Sequence, residues 1–142
     1  GSTDVTELHG NITHNYCIDC ERPAAPETVD AAIEDGTPAR CPECDGLIRP
    51  DVVWFGEMLP PDAIDRASTA AEQADVFLSV GTSAVVFPAA RLPLVAGEGG
   101  AYVAEVNPDS TGVTEEVDEA IRGEAGTVLP ALCEAIAARK EA

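Results

Sequence analysis

Four of the five cysteines occur in two Cys-x-x-Cys pairs, which are Cys17/Cys20 and Cys41/Cys44. Two pairs separated by residues 21–40 have the spacing at which two thiolate knuckles close one tetrahedral zinc site. Four thiolates leave no coordination position for water, so we predict a structural zinc ion. The alternative is that the pairs are redox-active dithiols. The fifth cysteine, Cys133, falls on the apolar stripe of a predicted helix and is interpreted as a packing residue.

The segment around the cysteines, residues 11–49, has a poor hydrophobic pattern and is predicted to be a small metal-binding module. Residues 21–40 contain prolines and few large apolar side chains, so metal binding must take the place of a core. Zinc ribbons often bind nucleic acid, but acidic residues outnumber the basic ones around this ribbon. We therefore expect no direct nucleic-acid binding.

The charge balance of the chain supports that exclusion. The chain has 26 acidic and 8 basic residues, a net charge of -18, and Lys140 as its only lysine. Such a surface should repel nucleic acid and anionic membranes. It is typical of proteins from a salt-rich cytoplasm, where salt screens self-repulsion, although a merely acidic mesophilic protein is the alternative. No long apolar run and no leader pattern occur, so we expect a cytoplasmic protein with no membrane span.

Strand and helix signals alternate along the rest of the chain. We predict strands at 5–10, 52–55, 76–80 and 101–106, and helices at 61–74, 88–95 and 129–140. This alternation favours an α/β fold with a parallel, doubly wound sheet.

Several short motifs now combine into a family pattern. They are Glu7-Leu8-His9-Gly10, the two cysteine pairs, Arg-Pro-Asp-Val-Val-Trp-Phe-Gly-Glu at 49–57, Gly81-Thr82-Ser83 and Val106-Asn107. In order and spacing they resemble the sirtuin family over essentially the whole chain. The resemblance implies the carboxyl-terminal part of a Rossmann-like parallel sheet with a zinc ribbon inserted. Residues 11–49 would be the zinc module, and residues 1–10 and 50–142 a partial NAD-binding domain.

The resemblance also implies an activity. Sirtuins are NAD-dependent protein-lysine deacylases, which transfer the acyl group to ADP-ribose and release nicotinamide. His9 resembles their catalytic base, which deprotonates a ribose hydroxyl. Imidazole suits this role because its unperturbed pKa is about 6.5. The alternative for His9 is a purely structural histidine, and no role is assigned to His14.

Substrate and cofactor residues follow from the same resemblance. Val53, Phe55, Gly56 and Glu57 resemble the segment that pairs with the acyl-lysine peptide as an added strand. Gly81, Thr82, Ser83, Asn107 and Ala125 resemble NAD-binding residues, and most of them follow predicted strands, where open α/β sheets bind cofactors. Taken singly, each of these could be a turn residue, and Val53 and Phe55 could be one face of a core strand.

Two family segments do not occur in these 142 residues. They are the Gly-Ala-Gly-Ile-Ser loop, which wraps the NAD phosphates, and the Gln-Asn-x-Asp segment, which contacts nicotinamide. The sequence starts only a few residues before His9, so we expect the isolated chain to be a weak NAD binder and a poor enzyme. We also expect self-association through the face that an amino-terminal half would cover. Two further hypotheses are a non-catalytic zinc-ribbon interaction module and mono-ADP-ribosyl transfer.

Overall fold

The computed structural model describes residues 2–140, and the chain divides into two compact units between Pro60 and Pro61. The cysteine pairs lie in the first unit together with residues 5–10 and 50–60, which we had assigned to the NAD-binding domain. Across the described range, every helix is too short or too polar to cross a bilayer.

The first unit contains one helix and a two-stranded antiparallel sheet. Strand β1 is Gly10–Cys17, helix α1 is Pro26–Glu34 and strand β2 is Ile48–Val52. Gly10 pairs with Val52 and has a φ of 76°, and a Cβ atom there would lie 2.0 Å from the carbonyl oxygen of Asp51. Only glycine fits such a contact, so Gly10 allows β1 to begin against β2.

Two strand predictions for this unit were wrong. Residues 5–9 are irregular, and the strand begins only at Gly10. The apolar run 52–55 is not a buried strand, because β2 ends at Val52 and the chain then turns. Trp54 and Phe55 are 53% and 98% exposed. The apolar character of 52–55 predicted a strand here, but the segment that pairs with β1 is the one just before it, Ile48–Val52.

Helix α1 was not predicted, and its environment explains why. Pro26 stands at the start of the helix, where its fixed φ is favourable. No residue of α1 is buried, so the helix carries no apolar stripe that packs on a core.

The second unit is an α/β unit with a three-stranded parallel sheet. Its elements are α2 (Pro61–Glu72), β3 (Val76–Val80), α3 (Leu92–Glu98), β4 (Tyr102–Asn107), β5 (Glu119–Arg122) and α4 (Ala125–Lys140). The strand order is β3-β4-β5, and both pairings are parallel. The predicted α/β class with a parallel sheet is therefore confirmed.

The core of this unit is built from small aliphatic residues. Ala71, Ala96, Ala101 and Val103 form the buried cluster, and Phe77 packs against it. Val103 and the next three residues of the central strand β4 are buried, and full burial of one valine stabilises the fold by about 1.5–3 kcal/mol. Low aromatic content is compatible with such close alanine packing.

Several details of the second unit differ from the predictions. Strand β5 was missed because only Ile121 in it is even half-buried. Helix α4 begins at Ala125 and not at residue 129, since Gly126 and Pro130 are poor helix formers that concealed its first turns. The predicted helix 88–95 is a short 3-10 turn followed by α3. Cys133 is exposed, so its prediction as a packing residue was wrong.

Candidate functional site

The four paired cysteines meet at one point in the first unit. Their sulfur atoms all lie within 4.8 Å of one another. The Sγ atoms of Cys17 and Cys44 are 3.5 Å apart, and those of Cys20 and Cys41 are 3.7 Å apart. Four sulfurs bound to one zinc ion at about 2.3 Å would be separated by about 3.8 Å, whereas a disulfide requires about 2.0 Å. The donor set therefore fits one tetrahedral zinc ion with no open position.

The two cysteine pairs adopt the same local backbone geometry. In each pair, the residue after the second cysteine donates its N–H to the carbonyl oxygen of the first cysteine, at 2.9 Å in both cases. These residues are Glu21 and Asp45, with φ angles of 58° and 63°. Non-glycine residues adopt positive φ only where the surrounding structure requires it. The metal site thus imposes two matching turns.

The electrostatics of the cluster favour a bound dication. The N–H of Cys20, helped by that of Asp19, lowers the pKa of the Cys17 thiol to about 7. For Cys44 the N–H of Gly46 favours the thiolate, but the Cys17 and Cys20 thiols together outweigh it and raise the pKa to about 12. Four adjacent thiols cannot all ionise unless a cation neutralises them. Zinc binding should therefore release protons.

His9 and the predicted peptide segment lie together in the same unit. His9 is exposed in the turn before β1, and its carbonyl oxygen accepts a 3.0 Å hydrogen bond from the Val53 N–H. After Val53 the chain turns through Gly56, whose φ is 91°. The exposed Phe55 side chain stands at this turn. Two predicted site residues from distant parts of the sequence are thus brought into backbone contact.

Arg49 organises this turn, a role that was not predicted from the sequence. Its guanidinium binds both carboxylate oxygens of Glu57, at 2.6 and 3.0 Å, and donates to the Val52 carbonyl oxygen at 2.8 Å. The guanidinium carbon also lies 5.9 Å from the ring centroids of Tyr16 and Trp54. Glu57, which we predicted as a peptide contact, therefore binds within the chain and holds the turn closed.

The residues predicted to bind NAD lie in the second unit. Gly81 follows β3, has a φ of 63° and donates its N–H to the Val106 carbonyl oxygen at 3.0 Å. Asn107 ends β4, and its Nδ2 donates to the carbonyl oxygen of Thr82 at 2.9 Å. Ser83 is exposed beside them. These residues therefore meet at the carboxyl ends of two adjacent parallel strands.

The third strand extends the same edge of the sheet. Gly123, just after β5, donates its N–H to the Asn107 carbonyl oxygen at 3.3 Å. Ala125 begins α4 two positions later and is half-buried. Ala125 thus lies two residues after Gly123, which is hydrogen-bonded to Asn107 at the end of β4.

A buried carboxylate, which was not predicted from the sequence, supports the loop after β4. Glu105 is 1% exposed and accepts hydrogen bonds from the hydroxyls of Thr111 and Thr114 and from Arg122 Nη1 at 3.0 Å. Burial raises the pKa of Glu105, but these hydrogen bonds outweigh burial and lower it. Arg122 also donates to the Asp109 carbonyl oxygen at 2.8 Å. The sequence signal for this carboxylate is the position of Glu105, an acidic residue inside the otherwise apolar run of β4.

Gly46 provides a test of the metal site. A Cβ atom at Gly46 would lie 2.8 Å from the Cys17 sulfur and 2.4 Å from the Asp19 carboxylate. Gly46→Ala should therefore displace the sulfur and weaken zinc binding about 10–100-fold, the usual effect of disturbing groups around a metal ligand. Competition with a chromophoric chelator measures this. Gly126→Ala is the control, since Gly126 lies in helix α4, has no positive φ and its Cβ would meet nothing within 4 Å. Equal zinc affinity in Gly46→Ala and wild type would contradict the predicted site.

Glu57 provides a test of the ion pair. Its bond to Arg49 and the N–H of Trp54 lower the pKa of the Glu57 carboxyl from 4.5 to about 2. Because the pKa is lowered in the folded state, the stabilisation is present above pH 4.5 and is lost as the pH falls towards 2. Carboxyl ¹³C NMR at about pH 4.5 should show Glu57 ionised in wild type but partly protonated in Arg49→Met, which loses the larger of the two causes. Half protonation in wild type would refute the pairing.

Comparison with known proteins gives the family. The Sir2 family profile matches residues 1–88. An NAD-dependent protein deacylase of Thermococcus kodakarensis is 47% identical over 135 residues, which cover 93% of this chain and 52% of the relative. The NAD-dependent protein deacylase 1 of Archaeoglobus fulgidus is 45% identical over 132 residues, with coverages of 93% and 53%. The chain thus spans about half the length of the curated relatives it matches.

Solved structures agree with this result. A crystal structure of a Sir2 homolog–NAD complex superimposes with a TM-score of 0.89 at 42% identity, covering 98% of this chain and 53% of the other. A structure of Sir2Tm bound to a propionylated peptide has a TM-score of 0.89 at 34% identity, with coverages of 94% and 56%. The sequence motifs, the four-cysteine site and the parallel sheet all agree with these matches, and the chain belongs to the Sir2, or sirtuin, family.

Proposed function

We propose that this chain is the zinc-binding and carboxyl-terminal part of an NAD-dependent protein-lysine deacylase. The observation that carries the proposal is the backbone hydrogen bond between His9 and Val53, which sets a residue with an exposed side chain, His9, next to an exposed apolar turn. A base and a substrate-binding segment are needed side by side for acyl transfer from a lysine side chain. Neither would be needed in a module that only binds zinc.

His9 acts as the general base in this proposal. Its imidazole takes a proton from a ribose hydroxyl of NAD, whose ADP-ribose part receives the acyl group. The Val53 bond on one side and the tight Gly10–Asp51 contact on the other fix the backbone of the turn that carries the imidazole. A base acts efficiently only when its position is held within hydrogen-bonding reach of the proton that it abstracts.

The exposed turn at 53–56 receives the acyl-lysine peptide. Trp54 and Phe55 are 53% and 98% exposed, which is unusual for large aromatic side chains unless a ligand covers them. An extended peptide that pairs with backbone next to β2 would be bound with little dependence on its sequence. The aromatic side chains then contact the apolar part of the acyl-lysine.

In the second unit, Gly81, Thr82, Ser83, Asn107 and Ala125 hold part of NAD. They lie at the carboxyl ends of the parallel strands, where dinucleotides bind in open α/β sheets. Hydroxyl and amide groups suit the ribose and phosphate oxygens of NAD. The buried pairing of Glu105 with Arg122 keeps the loop after Asn107 in place.

We further propose that the protein works in the cytoplasm of a cell with high internal salt. The net charge of -18 supports this, since self-repulsion of that size is screened within about 3 Å at molar salt.

The edge strand β3 exposes apolar side chains, with Val76 61% and Leu78 43% exposed, and Tyr102 on β4 is 51% exposed. These residues support the proposed self-association of the isolated chain.

The general-base role is tested by His9→Ala. In a version of the protein extended to the full length of its relatives, we expect deacylation to fall by about two orders of magnitude or more. The assay measures nicotinamide and deacylated peptide by mass spectrometry, and His14→Ala is the matched control. Near-normal turnover in folded His9→Ala would reject the role of His9. Transfer of label from the NAD adenosine to protein would instead favour mono-ADP-ribosyl transfer.

The second test concerns the 142-residue chain alone. It contains neither of the family segments that contact the NAD phosphates and nicotinamide. Each charge-assisted hydrogen bond that is not made removes about 1.5–3 kcal/mol of binding free energy. NAD should therefore bind orders of magnitude more weakly to this chain than to the extended protein. Calorimetric titration at molar salt measures both affinities. Equal affinities would contradict this account of the cofactor site, and partner binding unaffected by NAD would favour a non-catalytic module.

A further inference from the structure

Arg49 connects the zinc site to the turn at 53–57. In the β1–β2 ladder, Arg49 is opposite Tyr16, and the next pair is Ile48 opposite Cys17, the buried zinc ligand. At its other end, the guanidinium of Arg49 holds Glu57 with two hydrogen bonds. The Arg49 side chain thus links β2, whose partner strand β1 ends at the metal ligand Cys17, to the far end of the turn.

The surroundings of Arg49 make this bridge specific. The guanidinium carbon lies 5.9 Å from the ring centroids of both Tyr16 and Trp54, and the Nε atom is buried without a partner among the described residues 2–140. The Glu57 carboxylate supplies the opposite charge and two acceptors for this partly exposed guanidinium. Glu57 in turn accepts the Trp54 N–H at 2.9 Å. We call these four residues, Tyr16, Arg49, Trp54 and Glu57, the arginine clasp.

We propose that Arg49 is a positioning residue, through which the zinc site holds the 53–57 turn in the conformation that receives the acyl-lysine peptide. This inference rests on the proposed function, which supplies the acyl-lysine peptide as the ligand of the turn. It adds the interaction that orders the turn before the peptide binds. Without the clasp, Trp54 and Phe55 would have to be ordered when the peptide binds, and that ordering would reduce affinity.

The chemistry of the side chain explains why arginine is needed. A planar guanidinium can bind two carboxylate oxygens, a carbonyl oxygen and two aromatic faces at the same time. Lysine carries the same charge but lacks this fork, so Arg49→Lys should restore only part of the order that Arg49→Met loses. A role limited to net charge would predict full restoration by lysine.

The first experiment needs neither NAD nor peptide. Zinc-loaded wild-type chain and Arg49→Met are compared by ¹⁵N relaxation. In Arg49→Met the backbone order parameters of Trp54 and Phe55 should fall from about 0.85 to below about 0.6, while zinc stoichiometry and the order parameters of β1 stay unchanged. Trp54 is the only tryptophan, so its indole signal is unambiguous.

Arg22→Met is the matched control, because it removes an equal charge and another Arg–Glu pair of the zinc module, Arg22–Glu43 at 2.9 Å. It should leave the order of Trp54 and Phe55 unchanged. Wild-type order in zinc-loaded Arg49→Met would overturn the positioning role. Equal loosening in Arg22→Met would also overturn it, since the effect would then be general to the module.

The second experiment measures kinetics in the version extended to the length of its relatives. Arg49→Met should raise the KM for an acetyl-lysine peptide about tenfold, because part of the binding free energy is then used to order the turn. The KM for NAD and the kcat at saturating peptide should not change. An unchanged peptide KM would overturn the inference. A wild-type protein without deacylation would overturn the proposed function, and the relaxation result would still decide whether Arg49 orders the turn.

Discussion

Four cysteine sulfurs do in the first unit what a hydrophobic core does in an ordinary domain. Among its described residues, the only buried positions are Cys17, Cys41 and Gly46, all at the metal site. Helix α1 buries nothing, and β1 and β2 form only a two-stranded sheet, which is marginal in water by itself. Formation of the first unit therefore depends on the binding free energy of one zinc ion, which is also folding free energy.

The rest of the first unit is organised outward from that site. Cys17 ends β1, and its ladder partner Ile48 begins β2. The other end of the two-stranded sheet, away from the metal site, carries both His9 and the 53–57 turn. A structural metal can in this way determine the position of the proposed base and of the proposed peptide-binding turn without contacting either. In the second unit the same task is done by an alanine-rich core and by the buried pairing of Glu105 with Arg122.

The sequence was informative where spacing or apolar runs encode the structure directly. The cysteine pairs predicted the metal site because ligand geometry fixes their spacing, and apolar runs predicted β3 and β4. It was uninformative where tertiary contacts decide. Helix α1 has no buried face, and the 52–55 run leaves the sheet because Arg49 binds Glu57 across a turn. Glu105 and Arg122 are 17 residues apart, and no local pattern joins them.

The dependence of the first unit on zinc is tested most directly by ¹H–¹⁵N NMR spectra of the reduced chain before and after chelation. Zinc removal should collapse the dispersed amide signals of Gly10–Cys17 and Ile48–Val52, because no apolar core remains to hold these strands. The signals of β3, β4 and β5 should persist, since their core contains no metal ligand. Well-dispersed β1 and β2 signals in the zinc-free, reduced protein would contradict the view that the metal stands in for a core.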